Sequence, residues 1–358
     1  MFYYRLKKSK IKTKVINMKI MLDCLGGDFA PKATIEGAKN ALKSSATLNL
    51  VLLGKEEEIK EGLGNNFDPN RVEIINAPES VLNTDHPALF LKQKPNSTLA
   101  VAYEQLRKRE DIDALVSAGP TGAILTGAVL RLGRIKGVER PALVATLPTR
   151  TGKLVRIIDA GANMDSKSSY LVQFAIMADT YLKLNGVSNP RIGLLNVGAE
   201  EGKGNELAKE TYALLKQTNV NFIGNVEGDH VLKGEADAVV CDGFWGNVFL
   251  KATEEACYYV SDLFKEAIFK NIFTKIGALF QLKGLKKVKE PFNYAKKACA
   301  PLLGTKKIVL KCHGKSNQET IKETILEAER LAKDGLIEKL TNALNLNETE
   351  SSIHPTAK

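Results

Sequence analysis

The sequence predicts an α/β protein of three layers, with helices on both faces of a mainly parallel sheet. Short apolar runs alternate with helical segments along most of the chain, and unbroken apolar runs are what strands covered on both faces require. Six of those runs end in a glycine-containing polar segment, the usual place for ligands in parallel α/β sheets. The chain has 358 residues, 44% of them hydrophobic, enough to core one large or two medium domains.

Taken in order, "KIMLDCL" (19–25) reads as a buried strand and 34–44 as a helix. Strands follow at 49–54 and 71–77, a helix at 97–109, a strand at 113–119 and a helix at 122–133. "ALVATLP" (142–148) and "LVRIIDAG" (154–161) are strands close enough to be neighbours, and 168–185 is a helix. Further strands are expected at 191–198, 220–228, 237–243 and 307–314, most of them followed by helices. No internal repeat is visible. Three parts are expected: a basic extension at 1–17, a single α/β domain at 18–335, and a polar tail at 336–358 that frays.

The formal net charge is +10, and residues 1–17 supply six of the cations and no acid, which leaves +4 for the rest. That segment lacks the apolar stretch of a secretory signal. It reads either as a basic tail or as a start placed too early, since Met18 directly precedes the first strand. No apolar run reaches the roughly 18–20 residues that span a bilayer, so a soluble or peripheral protein is expected. Five cysteines without metal-like spacing point to reduced thiols in the cytoplasm, and four scattered histidines argue against a metal site.

The strand-end segments are "DCLGGD", "SAGPTGA", "DAGANMD", "NVGAEEGKGNE", "CDGFWGN" and "CHGKSN". Glycines let the backbone approach a ligand, and helix N-termini behind them offer unpaired N–H groups and a positive dipole end. One such segment would merely end a strand. Six, each with Asp, Asn, Ser, Thr or Lys, point to a shared anion-binding cleft. There is no GxxxxGK[ST] and no GxGxxG in a first βα turn, so nucleotide binding has no direct support. A GxSxG elbow is also absent. Cys24 and Cys241 lie at strand ends but read as small core residues.

With these segments in view, the sequence resembles bacterial phosphate acyltransferase, the family that moves acyl groups from acyl carrier protein to phosphate in phospholipid synthesis. The resemblance runs over about 18–335. It rests on "LDCLGGDFAPKATIEGA", "DALVSAGPTGA", "LGRIKGVERPAL", "DAGANMD", "QFAIMA", "NPRIGLLNVGAEEGKGNELAKE", "NFIGNVEG", "DAVVCDGFWGNVFLK", "APLLG" and "HGKSN". It implies a fold like that of phosphotransacetylases and isocitrate/isopropylmalate dehydrogenases. It also implies a homodimer acting at the inner face of the cell membrane, with no organic cofactor and no metal. The implied partners are acyl carrier protein, inorganic phosphate, the membrane surface and an integral-membrane glycerol-3-phosphate acyltransferase, with no nucleic acid. Cys24, Leu25, Phe29, Pro120 and Lys315 depart from the usual motifs; Pro120 lacks a backbone donor.

Phosphate attacking a thioester needs charge held rather than a nucleophile generated. Lys203 is expected to bind phosphate or the developing oxyanion, with Gly202 and Gly204 wrapping the loop around it. Asn205 and Asn247 would donate side-chain N–H bonds, and Asp242 would orient Lys203 or accept a proton. His313 would protonate the leaving thiolate. Gly26, Gly27, Asp28, Ser117, Thr121, Gly122, Asn163, Glu227 and Ser316 complete the candidate substrate contacts. The plainer readings are a solvated turn lysine for Lys203, a helix N-cap for Asn247, a structural histidine for His313, and loop-shaping roles for Asp159 and Asn163.

Residues 256–289 differ from the rest. Val260, Leu263, Phe264, Ala267, Ile268, Ile272, Ile276, Leu279 and Phe280 recur at helical spacing, with Phe269 and Phe273 widening the face. Lys270, Lys275, Lys283, Lys286 and Lys287 lie in a stretch without acids. Gly277 and Gly284 suggest a bend between two helices. An amphipathic segment of this kind suits a dimer contact near its start and an anionic membrane surface toward its middle. Three other functions fit less of the sequence: a nicotinamide-dependent dehydrogenase of the same fold type, a short-chain phosphotransacylase using coenzyme A, and a non-catalytic scaffold that recruits lipid-synthesis enzymes.

Overall fold

The computed structural model describes residues 17–65, 67–280, 284 and 299–353. The proposed basic extension, apart from residue 17, and Lys283, Lys286 and Lys287 lie outside them. The first half is built from β1 (Met18–Asp23), α1 (Lys32–Ser44), β2 (Leu48–Gly54), α2 (Glu56–Leu63), β3 (Val72–Asn76), α3 (Phe90–Gln93), α4 (Thr98–Lys108), β4 (Ala114–Ser117) and α5 (Thr121–Gly127). Ala128–Leu132 continue α5 as a π-helical turn. Then come β5 (Ala142–Pro148), β6 (Leu154–Ile158), α6 (Ser168–Leu184), β7 (Ile192–Asn196), α7 (Glu206–Leu215), β8 (Phe222–Glu227), α8 (Gly228–Lys233), β9 (Ala238–Val240), α9 (Gly243–Phe269) and α10 (Ile272–Phe280). The chain closes with β10 (Ala300–Leu303), β11 (Ile308–Lys311), α11 (Gln318–Lys333) and α12 (Leu336–Ile353).

The strands form one sheet in the order β3-β2-β1-β4-β11-β10-β5-β6-β9-β7-β8. The pairs are parallel except around β10, which is antiparallel to β11 and β5, and between β5 and β6. The expected three-layer, mainly parallel architecture is therefore present, with a reversal at its centre. One half-sheet (β3-β2-β1-β4-β11) runs one way and the other (β6-β9-β7-β8) runs back. Apolar side chains alternate between faces. Ile20, Leu22, Ala114, Val116, Ile308 and Leu310 enter the core under α1, α6 and α11, while Met21, Leu115 and Val309 enter the core under α4 and α5.

Three expectations change. β10 was legible only as part of a motif: it is four residues long and contains Pro301, which hides a strand in sequence. Residues 336–353 are helical rather than frayed. They form α12, with Leu336, Leu340 and Leu344 buried at a four-residue spacing against α6. The amphipathic segment begins earlier and bends elsewhere: α9 runs unbroken from Gly243, and the break falls at Lys270–Asn271, not at Gly277. Asn271 Oδ1 accepts the Thr274 N–H at 2.9 Å and Thr274 Oγ1 accepts the Asn271 N–H at 3.1 Å, a reciprocal cap that starts α10. Among the described residues no helix is long and apolar enough to cross a membrane.

The docking of α12 gives a stability test. Leu340→Ala is expected to lower the unfolding free energy by about 2–4 kcal/mol, and Lys339→Ala on the exposed face by less than about 0.5 kcal/mol. Equal small effects in urea denaturation would mean that α12 contributes no packed face.

Candidate active site

The ends of β1, β4 and β11 form the first wall. Asp23 is buried, and its Oδ2 accepts the Ser117 hydroxyl at 2.7 Å while Oδ1 accepts the Leu25 N–H at 3.1 Å. Ser117 Oγ in turn accepts the Gly119 N–H at 3.0 Å. Burial holds the Asp23 carboxyl above its usual range despite these bonds. A side chain at Gly26 would run into the Asp23 carboxylate. Gly27 has φ +97°, a conformation that favours glycine. The Asp28 N–H donates to the Gly314 carbonyl at 2.8 Å, which stitches the loop after β1 to the loop after β11. Thr121 opens α5, and Gly122 packs against Pro87. The Ser316 hydroxyl is buried without a hydrogen-bond partner.

His313 sits two residues past β11, on the solvent side of this wall. Its Nδ1 accepts the Lys315 N–H at 3.1 Å, which leaves the ring proton on Nε2. Partial burial, and then the neighbouring Lys311, hold its pKa below the ordinary value. At neutral pH His313 is therefore a neutral ring with an Nε2–H donor.

The ends of β6 and β9 form the second wall. Asp159 is buried and shapes its loop. Its carboxylate accepts the N–H groups of Leu143 at 3.0 Å, Gly161 at 3.2 Å, Ala162 at 3.0 Å and Asn163 at 2.7 Å. Asn163 Nδ2 is divided between Asp159 and the Pro141 carbonyl, each at 2.8 Å, and its own carbonyl accepts the Gly243 N–H at 2.7 Å. Both amide protons are committed, so Asn163 shapes its loop. Asp242 caps α9, accepting the Trp245 N–H at 2.8 Å, so the cap is Asp242 and not Asn247. Asn247 lies within the second turn, its side chain packed against Gly161. Burial, with a small contribution from Asp165, raises the Asp242 pKa.

The glycine-flanked lysine lies beyond β7. Gly204, at φ +90°, turns the chain against the Asn196 side chain, whereas Gly202 is open on all sides. Only one of the two glycines is demanded by the backbone. Asn196 Nδ2 donates to the Lys203 carbonyl at 3.1 Å, and Asn205 caps α7 by accepting the Ala208 N–H at 2.9 Å. The Lys203 side chain is 52% exposed and its ammonium lies 3.8 Å from Glu200. Asp242 does not orient it; that carboxylate is engaged at the start of α9. Glu227 ends β8 opposite Asn196.

One helix runs from the second wall toward the first. α9 starts against Asn163, packs Phe249 on Gly228 beyond β8, and carries Lys251 and Glu254 into the electrostatic surroundings of Lys311 and His313. From Gly243 to Glu254 it rises about 16 Å. The structure thus joins the His313 and Asn247 walls through α9. No bond links Lys203 to either wall among the described residues. Cys24 and Cys241 are buried, and burial raises both thiol pKa values. Asp23 and Lys311 escaped the sequence reading. Each ends an apolar strand, "MKIMLD" and "IVLK", and a charge closing such a run is the one available signal.

Comparison with known proteins gives the family and the fold. The Fatty acid synthesis protein family model matches residues 18–339. The chain is similar to the Phosphate acyltransferase of Brevibacillus brevis, 42% identical over 331 residues, covering 92% of this chain and 98% of that one. It is also 42% identical over 337 residues to the Phosphate acyltransferase of Caldanaerobacter subterraneus subsp. tengcongensis, covering 94% and 100%. Among solved structures it is similar to a phosphotransacetylase from Streptococcus pyogenes, with TM-score 0.58 and 17% identity over 89% of this chain and 95% of that one. A branched-chain phosphotransacylase from Enterococcus faecalis gives TM-score 0.54 and 16% identity over 88% and 99%. These structural likenesses establish the fold.

The environment of His313 can be read by NMR. Its titration midpoint is expected below the ordinary 6.5, with the Nε2–H tautomer at pH 7. Protonation is favoured in the unfolded chain, so this residue's contribution to stability is present above pH 6.5 and is lost as pH falls through the ordinary value. A midpoint at or above 6.5 contradicts the assignment.

Proposed function

The chain belongs to the phosphate acyltransferase family of fatty acid and phospholipid synthesis, and from that premise we propose that it transfers a long-chain acyl group from acyl carrier protein to inorganic phosphate. A phosphate oxygen forms a bond to the thioester carbonyl carbon. The tetrahedral oxyanion then collapses, the C–S bond breaks, and acyl phosphate and the free carrier thiol result. The observation that carries direct attack is the character of the cleft. Its groups include donors and a cation (His313 Nε2–H, the half-buried Asn247 amide and, on the neighbouring loop, Lys203) beside the exposed Asp28 carboxylate, while the two strand-end thiols are buried with raised pKa values. Phosphate is already an anion at neutral pH, so the site has to orient it and stabilise charge.

In this reading Lys203 swings from its exposed loop to the developing oxyanion, and Asn205 and Asn247 donate through their side-chain amides. His313, as a neutral ring, donates an Nε2–H hydrogen bond to the departing thiolate, which takes its proton from water. Gly26, Gly27, Asp28 and Ser316 border the same cleft from the first wall. A short-chain acyl coenzyme A donor is the second reading, favoured by the phosphotransacetylase-like fold alone.

The protruding α9–α10 arm supports homodimer and membrane roles. Tyr259, Leu263 and Phe264 on α9 and Phe269, Ile272, Phe273 and Phe280 along the arm are exposed, with Lys270 and Lys275 among them. A dimer contact near the middle of α9 and attachment to an anionic inner-membrane surface through α10 account for this composition. Acyl phosphate would then pass to an integral-membrane glycerol-3-phosphate acyltransferase.

Two measurements test these readings. Purified protein, long-chain acyl carrier protein and phosphate are expected to give acyl phosphate, trapped as a hydroxamate, and Lys203→Ala to lower kcat by about 10²–10³-fold. Equal turnover in the variant moves the oxyanion site elsewhere. Product only from acyl coenzyme A favours the phosphotransacylase, and no product from either donor sinks the transfer reading. Separately, Phe273→Glu is expected to abolish sedimentation with phosphatidylglycerol vesicles while leaving turnover in solution unchanged. Undiminished sedimentation removes α10 from the membrane contact.

A further inference from the structure

Lys311 closes β11, and the reaction outlined above leaves it without a task. Along β11, Ile308 and Leu310 point into one core and Val309 into the other, so Lys311 shares the face of Val309. Its register partner on β4 is Ser117. One strand further, by the register that pairs Leu22 with Val116, stands Asp23. Asp23, Ser117 and Lys311 therefore form a polar row on one face, across the carboxyl ends of three parallel strands.

The members of that row are not equally satisfied. Asp23 and Ser117 hold each other and neighbouring amides. The Lys311 ammonium, with three protons to donate, makes one hydrogen bond, to the Cys312 carbonyl at 3.1 Å. Among the described residues no carboxylate lies within salt-bridge distance of it. The charged and titratable groups around it are the buried Cys312 thiol next in the chain, Lys251 and Glu254 on α9 and, two residues past its own strand, His313. Glu254 is 3.8 Å from Lys251, so it answers that cation. Burial depresses the Lys311 pKa. A half-buried ammonium without a counter-ion is costly unless an anion completes it, and such groups gather at functional sites.

We propose that Lys311 is the residue that fixes the attacking phosphate, its two unused N–H donors taking phosphate oxygens at the floor of the cleft. This rests on the reading that phosphate is the acyl acceptor, and it divides the cations: Lys311 holds the nucleophile, and the exposed Lys203 meets the oxyanion. The position suits a small tetrahedral anion. The phosphodiester of a carrier's pantetheine arm lies an arm's length from the thioester and belongs at the rim.

The test compares wild type with Lys311→Met and Lys311→Arg. Phosphate and acyl carrier protein are varied separately in the turnover assay, and thermal unfolding is followed with and without inorganic phosphate. Lys311→Met is expected to raise KM for phosphate by about 10–100-fold and to leave KM for the carrier within about 2-fold. Its Tm without phosphate should equal or exceed that of wild type, because an uncompensated charge has been replaced by an apolar chain of similar length. Phosphate should raise the Tm of wild type and not that of Lys311→Met, and Lys311→Arg should recover part of the phosphate affinity. An unchanged KM for phosphate, or an equal rise for both substrates with a lower Tm, overturns the proposal. Should Lys311→Met not fold, Lys311→Gln is held to the same two readouts. If wild type makes no acyl phosphate at all, the transfer reading fails by itself, and the phosphate-dependent Tm shift still decides whether Lys311 binds phosphate.

Discussion

The antiparallel strip β11-β10-β5-β6 at the centre of the sheet is the constraint on which the arrangement depends. Each half-sheet taken alone is an ordinary parallel α/β layer whose loops gather at its carboxyl edge. The strip reverses one half against the other. In a flat sheet the two sets of carboxyl ends would then face opposite ways. Sheet twist of about 20–25° per strand step accumulates across the strip, and α9 spans the remaining gap. The Asn163 amide bond to the Pro141 carbonyl, at 2.8 Å, ties the loop after β6 to the strand that begins the reversal. Losing that strip would leave two sound half-sheets and no common cleft.

The buried acids at the strand ends act on backbone. Asp159 collects amide donors from four residues, and Asp23 orders the turn through Leu25 and the neighbouring strand through Ser117. Each carboxylate is sequestered by the loop it shapes, and burial raises its pKa. The cations are treated in the opposite way. Lys203 stays on an exposed loop with a loose ion pair, and Lys311 is half-buried with one acceptor. With its two buried acids committed and these two lysines under-satisfied, the cleft favours an anionic occupant.

α9 connects this chemistry to the protein's surface. Its first turns are fixed by the Asp242 cap and by Gly243 against Asn163, its middle lies beside His313 and Lys311, and its far end carries exposed aromatic and aliphatic side chains. Because one rigid helix belongs to both regions, whatever covers the arm bears on the same element that lines the cleft.

The fold class was legible in the sequence because each strand carries its own evidence. "NLVLLG", "ALVATLP" and "DALVSAG" are apolar runs that only a doubly covered sheet accommodates, and Gly27 and Gly204 are glycines that the backbone needs. Family membership was legible for the same reason: motifs are local. Direction and distance were not. No residue of "APLLG" announces that β10 runs against both neighbours, and α12 looked like a fraying tail because three leucines spread over nine residues identify a buried face only when α6 stands opposite. Asn163 and Asp242 had the residue types of a binding site; the distant Pro141 carbonyl holds Asn163 in its loop, and a local bond from Trp245 makes Asp242 the cap of α9. Lys311 offered only the signal of a charge closing an apolar strand, and strand register placed it beside Ser117. Local propensity is written in neighbouring residues, whereas the satisfaction of a polar group depends on which distant atoms fold against it.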